Sequence, residues 1–366
     1  MTSDVSLGTA QVPFDGPVQA GVATMPPAHL NEVGFNFEPG VTRDQIIDLM
    51  QRWTAAARAL TCGQEVDGFV EPEMTAITAN LTITFGVGEG FLTAAGVSSR
   101  TPSWLHPIPA FTHDVLQTQW GQTDMIVQFN ADDLVPMATA LRRFVYLARG
   151  IAHVVWEQQG FGHAAGTQKP GTTPRNPMGQ IDGTVNPRTA EEFAEQVWID
   201  AEEPYLKNST AMVIRRIAID LDAWHGQTRP ARERVIGRRL DTGAPLSGGE
   251  SEFDEEDMDA VGTDGAYLID RHSHLALSRE QDGLPSDALK RRAYSYQVFT
   301  PGSGPESGFV WVAFQKDPDR QFTAIQRRLD ESDLLNPFIT HIGSAVYWIV
   351  PGTTPDTYWA QDLLAE

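Results

Sequence analysis

The feature that most limits the fold of this chain is the order in which its hydrophobic patterns follow one another. Apolar residues at every second position predict strands, and apolar residues at helical spacing predict helices. The first half of the chain has the order strand, strand, helix, strand, strand, helix, and a similar set returns in the second half. These elements lack the regular alternation of a parallel sheet. We therefore predict an α+β fold of two halves on antiparallel sheets.

Each predicted element corresponds to a short stretch of sequence. In the first half we predict strands at 18–24, 32–39, 81–88 and 125–132, and helices at 43–61 and 134–152. In the second half we predict strands at 211–221, 291–299, 308–316 and 344–352, and helices at 229–240 and 322–339. The two sets are separated by a loop that contains no apolar run.

Length and loop composition set the expected domain boundaries. A chain of 366 residues is long for one core, since domains average about 150 residues. We expect a polar tail at 1–16, a first half at 17–160, a connecting loop at 161–204 and a second half at 205–366. The acidic run at 248–265 is expected to be a solvated loop. It lacks the ligand spacing of a calcium loop, so no metal is assigned to it.

The charge of the chain excludes several classes of partner. Lys and Arg number 27 against 48 Asp and Glu, which gives a net charge of −21. Such a surface repels phosphate backbones and anionic membranes, so no nucleic-acid partner is expected. No apolar run approaches the roughly 18 residues of a spanning helix, so no membrane insertion is expected either. Whether the chain forms a homo-oligomer stays open.

Cysteine content and the N-terminus say little about the compartment. The single Cys62 cannot form an internal disulfide. The first residues have neither a basic start nor an apolar stretch, so we expect no signal peptide. If this N-terminus is native, the expected location is the cytoplasm.

One loop places an acid among turn-forming residues. The stretch "RNPMGQIDGTVNPR" at 175–188 is rich in Pro, Gly, Asn and Asp, and Asp182 lies between Gly179 and Gly183 with an arginine on each side. Taken alone, Asp-Gly is an ordinary turn former. The loop by itself therefore assigns Asp182 no chemistry.

Two other short motifs contain residues suited to chemistry. His272 and His274 are two residues apart, so on a strand they would share a face and could hold a metal, although no third ligand follows at a recognisable spacing. Arg291 and Arg292 begin a predicted strand, on which only one of them can point inward. From the residues alone, an acid/base hydrolase, a carboxylate-binding pocket and a cofactor site all stay open.

Several motifs, in order along nearly the whole chain, make the sequence similar to one family. They include "PVQAGVAT", "RWTAAARALT", "LTITFGVG", "GTTPRNPMGQIDGTVNP", "VIGRRLDTGAPLSG", "HLALS", "LKRRAYSY" and "NPFITHIGSAVYWIVPG". The chain resembles the dye-decolorising peroxidases, which are haem enzymes, and most closely the branch that includes the deferrochelatase-type members. The G-x-x-D-G signature of the family is present at 179–183.

The resemblance implies a fold and a set of roles. It implies two ferredoxin-like halves, with antiparallel sheets and flanking helices, and haem b in the second half. His274 matches the proximal iron ligand, and Asp182 and Arg291 match the distal pair. A shift of one residue would exchange Arg291 with Arg292. Further matches are Gly183, Thr184 and Val185 along the haem, Arg238 near a propionate, and Asp333 as the acid behind His274.

The implied activity is a haem-dependent peroxidase. It would reduce hydrogen peroxide and oxidise dyes or phenolic compounds, with Asp182 as base and Arg291 stabilising negative charge. The reference pKa of aspartate is about 3.9, so an activity optimum at acidic pH is expected. The alternatives are a haem-binding or iron-release protein with incidental peroxidase activity, and a non-haem metal enzyme or hydrolase. Close relatives often carry an arginine where this chain has Ala276, which puts in doubt only a role of that arginine.

Overall fold

A computed structural model of the chain describes residues 7–66, 71–169, 171–279, 289–302 and 304–365. The strands in these ranges are β1 (His29–Phe37), β2 (Thr82–Val87), β3 (Met125–Ala131), β4 (Ala152–Phe161), β5 (Thr210–Ile219), β6 (Lys290–Arg291), β7 (Tyr294–Thr300), β8 (Gly304–Gln315) and β9 (Ile339–Ile349). The α-helices are α1 (Arg43–Thr61), α2 (Pro72–Thr75), α3 (Glu89–Ala94), α4 (Leu134–Ala148), α5 (Ala190–Gln196), α6 (Leu221–His225), α7 (Arg229–Ile236), α8 (His274–Ser278) and α9 (Phe322–Ser332).

The strands form one sheet that closes on itself. The order is β5-β9-β2-β3-β1-β4-β7-β8, and β8 pairs again with β5. All the pairings between these strands are antiparallel. The short β6 also pairs with β8, ahead of β7 along the same edge. The result is a barrel in which the eight long strands have neighbours on both sides.

Each half of the barrel has the ferredoxin-like arrangement that we predicted. The first half runs β1, α1, β2, β3, α4, β4 and contributes the strand order β2-β3-β1-β4. The second half contributes β7-β8-β5-β9, with α9 between β8 and β9. The halves meet where β2 pairs with β9 and β4 pairs with β7. The predicted α+β class with antiparallel sheets and flanking helices is therefore confirmed.

Several predicted elements agree with the structure to within a few residues. The helix predicted at 43–61 is α1, and a capping box formed by Thr42 and Gln45 fixes its first turn. The helix predicted at 229–240 ends earlier, at Ile236, because Gly237 adopts a positive φ of 89°. The strand predicted at 291–299 is divided into β6 and β7.

Two predictions for the first half are wrong. The segment 18–24 forms turns instead of a strand, and the Gln19 side chain donates from this segment to the carbonyls of Phe85 and Val350. The strand β4 was not predicted, because the helix predicted at 134–152 extends past the end of α4 at Ala148. Side chains along β4 alternate between buried and exposed, as expected of a strand with one solvated face.

The outer faces of the two halves are covered differently. In the first half α1 and α4 pack on the sheet, where Trp53 stacks on Phe144 with ring centres 5.1 Å apart. In the second half the outer face of β5, β8 and β9 lies under α8 and α9, and a cavity of about 300 Å³ remains between sheet and helices. The candidate functional site lies in this cavity.

Candidate functional site

The loop that carries Asp182 owes its shape to two glycines. Gly179 and Gly183 have positive φ angles of 84° and 121°, which other residues rarely adopt. Between them, the backbone N–H of Asp182 donates to the carbonyl of Pro174 at 3.0 Å. The Asn176 amide donates to Oδ2 of Asp182 at 3.3 Å. This turn leaves the carboxylate bordering the cavity, with 30% of its side chain exposed.

Arg291 reaches the same cavity from the edge of the barrel. Its Nη1 lies 3.4 Å from Oδ1 of Asp182, and 26% of its side chain is exposed. The structure thus brings together the two residues that the family resemblance paired. Because both border the cavity, a small molecule there can contact an anion and a cation at once.

Arg291 and Arg292 lie on opposite faces of the barrel wall. Arg291 lines the cavity outside the barrel, whereas Arg292 is buried and donates from Nη1 to the carbonyl of Thr24 at 2.6 Å. As predicted, only one of the two arginines, Arg292, points into the barrel. Side chains alternate along the strand, so the neighbouring Arg291 points to the opposite face and lines the cavity.

His274 begins a helix and does not lie on a strand. It is the first residue of α8, whose N-cap Ser273 accepts from the N–H of Ala276 at 3.3 Å. The shared-face argument for His272 and His274 is therefore wrong. His272 is exposed and does not line the cavity. Among the residues that the structure describes, there is no cluster of three His, Cys, Asp or Glu side chains that could hold a metal ion.

The imidazole of His274 is held by a buried carboxylate. Its Nδ1 lies 2.7 Å from Oδ2 of Asp333, whose side chain is 1% exposed. Oδ1 of Asp333 accepts from the backbone N–H of Leu335 at 2.9 Å. The structure therefore places the candidate acid behind His274, and it leaves Nε2 as the ring nitrogen that can bind another atom.

Charges on both sides act on His274. Burial of the imidazole lowers its pKa, but the charge and hydrogen bond of Asp333 outweigh burial and keep the pKa above the ordinary value. The positive charge of Arg291 lowers the pKa further and the negative charge of Asp182 raises it. The side chains of Asp182, His274, Arg291 and Asp333 border one cavity. The charges on both sides of this cavity therefore act on the same imidazole.

The cavity walls combine apolar side chains with a similar number of polar ones, four arginines among them, and the volume lies at the lower end of the range of about 300–1,000 Å³ for cofactor sites. A flat, largely apolar group with anionic substituents and a metal that takes nitrogen ligands fits these walls and the free Nε2 of His274. The apolar lining consists of Met178, Ile181, Val185, Ile217, Ile236, Leu275, Leu289, Phe309, Trp311, Phe322, Ile325, Leu329, Leu335 and Ile339. The predicted haem-lining residues Gly183, Thr184 and Val185 are all part of the wall.

The acidic run contributes to the site, which corrects the expectation of a purely solvated loop. Glu252 is buried and accepts from the Thr184 hydroxyl at 2.6 Å. Glu256 pairs with Arg238 at 3.1 Å and also with Arg279. Arg238, the predicted propionate residue, lines the cavity and is held by these loop contacts. The loop therefore orients cations in the cavity wall.

Two further residues in the wall were missed. Arg215 is fully buried, pairs with Asp114 and donates to the Ser344 hydroxyl at 3.0 Å. Burial, with the adjacent positive charge of Arg215, lowers the pKa of His341 to about 3, so this imidazole is neutral. The available signal was the arginine pair inside the apolar stretch "AMVIRRIAIDL". A charge in a buried strand needs a partner.

The chain matches known proteins over almost its whole length. Sequence models described as "Dyp-type peroxidase, N-terminal" and "Dyp-type peroxidase, C-terminal" match residues 19–162 and 173–354. A dye-decolorizing peroxidase of Thermobifida fusca is 33% identical over 94% of this chain and 83% of its own length. A deferrochelatase of Escherichia coli is 28% identical over 93% of this chain and 84% of its own.

Solved structures give the same picture. A DyP-type peroxidase from Cellulomonas bogoriensis superposes with a TM-score of 0.94 at 40% identity, covering 98% of this chain and 99% of that one. One from Streptomyces coelicolor has a TM-score of 0.94 at 34% identity, with full coverage of both chains. Fold and sequence thus define a haem-dependent peroxidase, an oxidoreductase. The chain belongs to the Dyp-type peroxidase family.

None of the described helices combines the length and the apolar character that are needed to cross a bilayer.

Proposed function

We propose that this chain reduces hydrogen peroxide with Asp182 and Arg291 as its reacting side chains and His274 as the iron ligand, and that aromatic compounds or dyes are the reductants. The observation that carries the proposal is that a carboxylate–arginine pair and a histidine–carboxylate pair border one cavity. Either pair alone has many uses. Together they provide a proton carrier, a fixed cation and a metal ligand around the same space.

The haem would be held mainly from the side of α8. Nε2 of His274 would bind the iron, and the 2.7 Å contact to Asp333 would keep the proton on Nδ1. The apolar walls would enclose the ring system, and Arg238 would lie near a propionate. When bound, the haem supplies the two electrons that reduce the peroxide, and the reductants restore them.

Asp182 would move a proton between the two peroxide oxygens. Its carboxylate would accept the proton from one oxygen and return it to the other, which leaves as water when the oxygen–oxygen bond breaks. The remaining oxygen would leave as a second water after it takes up two protons and the two electrons of the reductants. Arg291, 3.4 Å from that carboxylate, would stabilise the negative charge that develops on the departing oxygen. Haem carriage or iron release would not need this pair.

The test replaces each member of the pair in the haem-loaded protein. Asp182→Asn keeps the shape and the turn chemistry but loses the proton acceptor. We expect the reaction with hydrogen peroxide, followed by stopped-flow absorbance, to slow by about 10²–10⁴-fold. Arg291→Leu should also slow it and leave the haem content unchanged.

Asp259→Asn is the matched control. It removes one carboxylate from an exposed ion pair with Arg271, outside the cavity. Its rate should equal that of the wild type. If Asp182→Asn also reacts at the wild-type rate, Asp182 is only a turn former, and the haem-binding or iron-release alternative is favoured.

A further inference from the structure

The side-chain amide of Asn186 joins the loop of Asp182 to the strand of Arg291. Its Nδ2 donates to the carbonyl of Arg291 at 2.9 Å. Its Oδ1 accepts from the backbone N–H of the same residue at 2.8 Å. Both hydrogen-bonding groups of one backbone residue are therefore satisfied by one side chain, across 105 positions of sequence.

The strand geometry explains why Arg291 needs such a partner. The backbone of β6 pairs with β8 on one side, and the next residue, Arg292, donates to the carbonyl of Val312 at 2.8 Å. Because backbone groups alternate in direction along a strand, the N–H and C=O of Arg291 face away from β8. The Asn186 amide thus takes the place of a neighbouring strand at this edge.

The chemistry of the contact favours asparagine. A primary amide carries a donor and an acceptor side by side, which matches the N–H and C=O of one backbone residue. Flipping the amide would set like groups against each other at both contacts. The same loop fixes Asn186, because its backbone N–H donates to the carbonyl of Gly183 at 3.1 Å.

Asn186 also lies only four residues after Asp182 on this loop. We propose that Asn186 is a positioning residue for the peroxide reaction, whose amide fixes the backbone of Arg291 relative to the loop and so sets the separation of Asp182 and Arg291. This inference rests on the proposed function. Asn186 is not one of the described residues that line the cavity. It therefore acts only through Asp182 and Arg291.

Two variants separate positioning from general stability. Asn186→Ala removes both hydrogen bonds and should slow the peroxide reaction by up to about 100-fold, the cost of a 1 Å misplacement. Asn186→Asp keeps the acceptor, but when ionised it sets an oxygen against the carbonyl of Arg291. Once protonated, the acid regains a donor. Its rate relative to wild type at the same pH should therefore recover as the pH falls, whereas the deficit of Asn186→Ala should stay constant.

A second measurement does not depend on activity. In hydrogen exchange, the backbone N–H of Arg291 should be protected in the wild type and exchange faster in Asn186→Ala. Asn36→Ala is the matched control, since the Asn36 amide accepts from the backbone of Asp124 at 2.9 Å in the other half. It should change neither the peroxide rate nor the exchange of Arg291.

A triple variant distinguishes the two ways in which the proposals can fail. If Asn186 acts only through the pair, adding Asn186→Ala to the variant that carries both Asp182→Asn and Arg291→Leu should slow the reaction no further. If Asp182→Asn alone has no effect, the proposed function fails. If Asp182→Asn slows the reaction but Asn186→Ala does not, or if Asn186→Ala slows the variant lacking both Asp182 and Arg291 as much as it slows the wild type, the positioning role is refuted and the function stands.

Discussion

Replacing Asp333 by asparagine should weaken haem binding more than replacing it by alanine, although asparagine is the closer match in shape. Oδ1 of Asp333 accepts from the N–H of Leu335 at 2.9 Å, so the amide oxygen of the variant must take that position. The NH₂ group then faces Nδ1 of His274, which lay 2.7 Å from the second carboxylate oxygen. Nδ1 has to become the acceptor, and the ring proton moves to Nε2, the nitrogen that would bind iron.

The magnitude follows from two contributions. Loss of the carboxylate behind a metal-bound histidine lowers metal affinity by about 10–100-fold. Both variants share this loss. Holding the wrong tautomer adds the cost of an unfavourable buried hydrogen bond, about 1–3 kcal/mol, or roughly 5- to 150-fold. In Asp333→Ala a water can accept from Nδ1, so the additional cost falls on the asparagine variant.

The assay is the rate of haem transfer to an excess of a haem-acceptor protein, followed in the Soret band. We expect transfer from the asparagine variant to be faster than from the alanine variant, and both to be faster than from wild type. Asp330→Asn serves as the control, because Asp330 lies on the same helix but contacts His113 and not His274. The substitution therefore removes a nearby charge without changing the contact to His274. Equal transfer from Asp333→Asn and wild type, or slower transfer than from alanine, would show that the tautomer argument is wrong.

Four further predictions concern the same cavity and the charge of the chain. His274→Ala should lose most of its haem and His272→Ala should retain it; equal haem content by Soret absorbance would refute the ligand assignment. Because Asp333 keeps the pKa of His274 above 6.5 and iron binds the neutral ring, titrations should show haem affinity falling already above pH 6.5 as the pH is lowered. The raised pKa of His274 also stabilises the haem-free fold. This stabilisation is complete below pH 6.5 and is lost as the pH rises through the pKa of the folded state, which denaturant titrations at several pH values can check. With a net charge of −21, added salt should raise kcat/KM for a sulfonated anionic dye and lower it for a cationic dye, and parallel responses would contradict steering by the protein field.

Local sequence patterns predicted which segments form helices and strands better than they predicted which strands pair with each other. The spacing of apolar residues located α1 to the residue, because an amphipathic helix records its buried face in its own sequence. The strand β4 was missed, since the apolar pattern of α4 was carried past the end of that helix. The closure of the ring through β2 and β9 depends on residues far apart in sequence, which no local pattern encodes.

In the site, too, local sequence patterns predicted the turn but not the contacts between distant residues. The glycines around Asp182 indicated a turn, and the turn is present, but only the family resemblance paired Asp182 with Arg291. Residue spacing could not separate Arg291 from Arg292, because the choice depends on which face of β6 meets the cavity. Asn186 carried no signal beyond ordinary turn chemistry. Its role depends on the unpaired edge of a strand that lies elsewhere in the chain.

The closed ring has a consequence for any attempt to reduce this protein to a smaller catalyst. A cut between β4 and Arg175, ahead of the loop that carries Asp182, would leave the fragment with the cavity exposing the edges of β7 and β9, and the other fragment exposing β2 and β4. Exposed strand edges recruit other chains, so each fragment alone should aggregate. Produced together, the fragments present matching edges and should reassemble, which would make the stretch just after β4 a place to divide the enzyme into two complementing parts. The half without the cavity would then serve as a folding template for the half that has it.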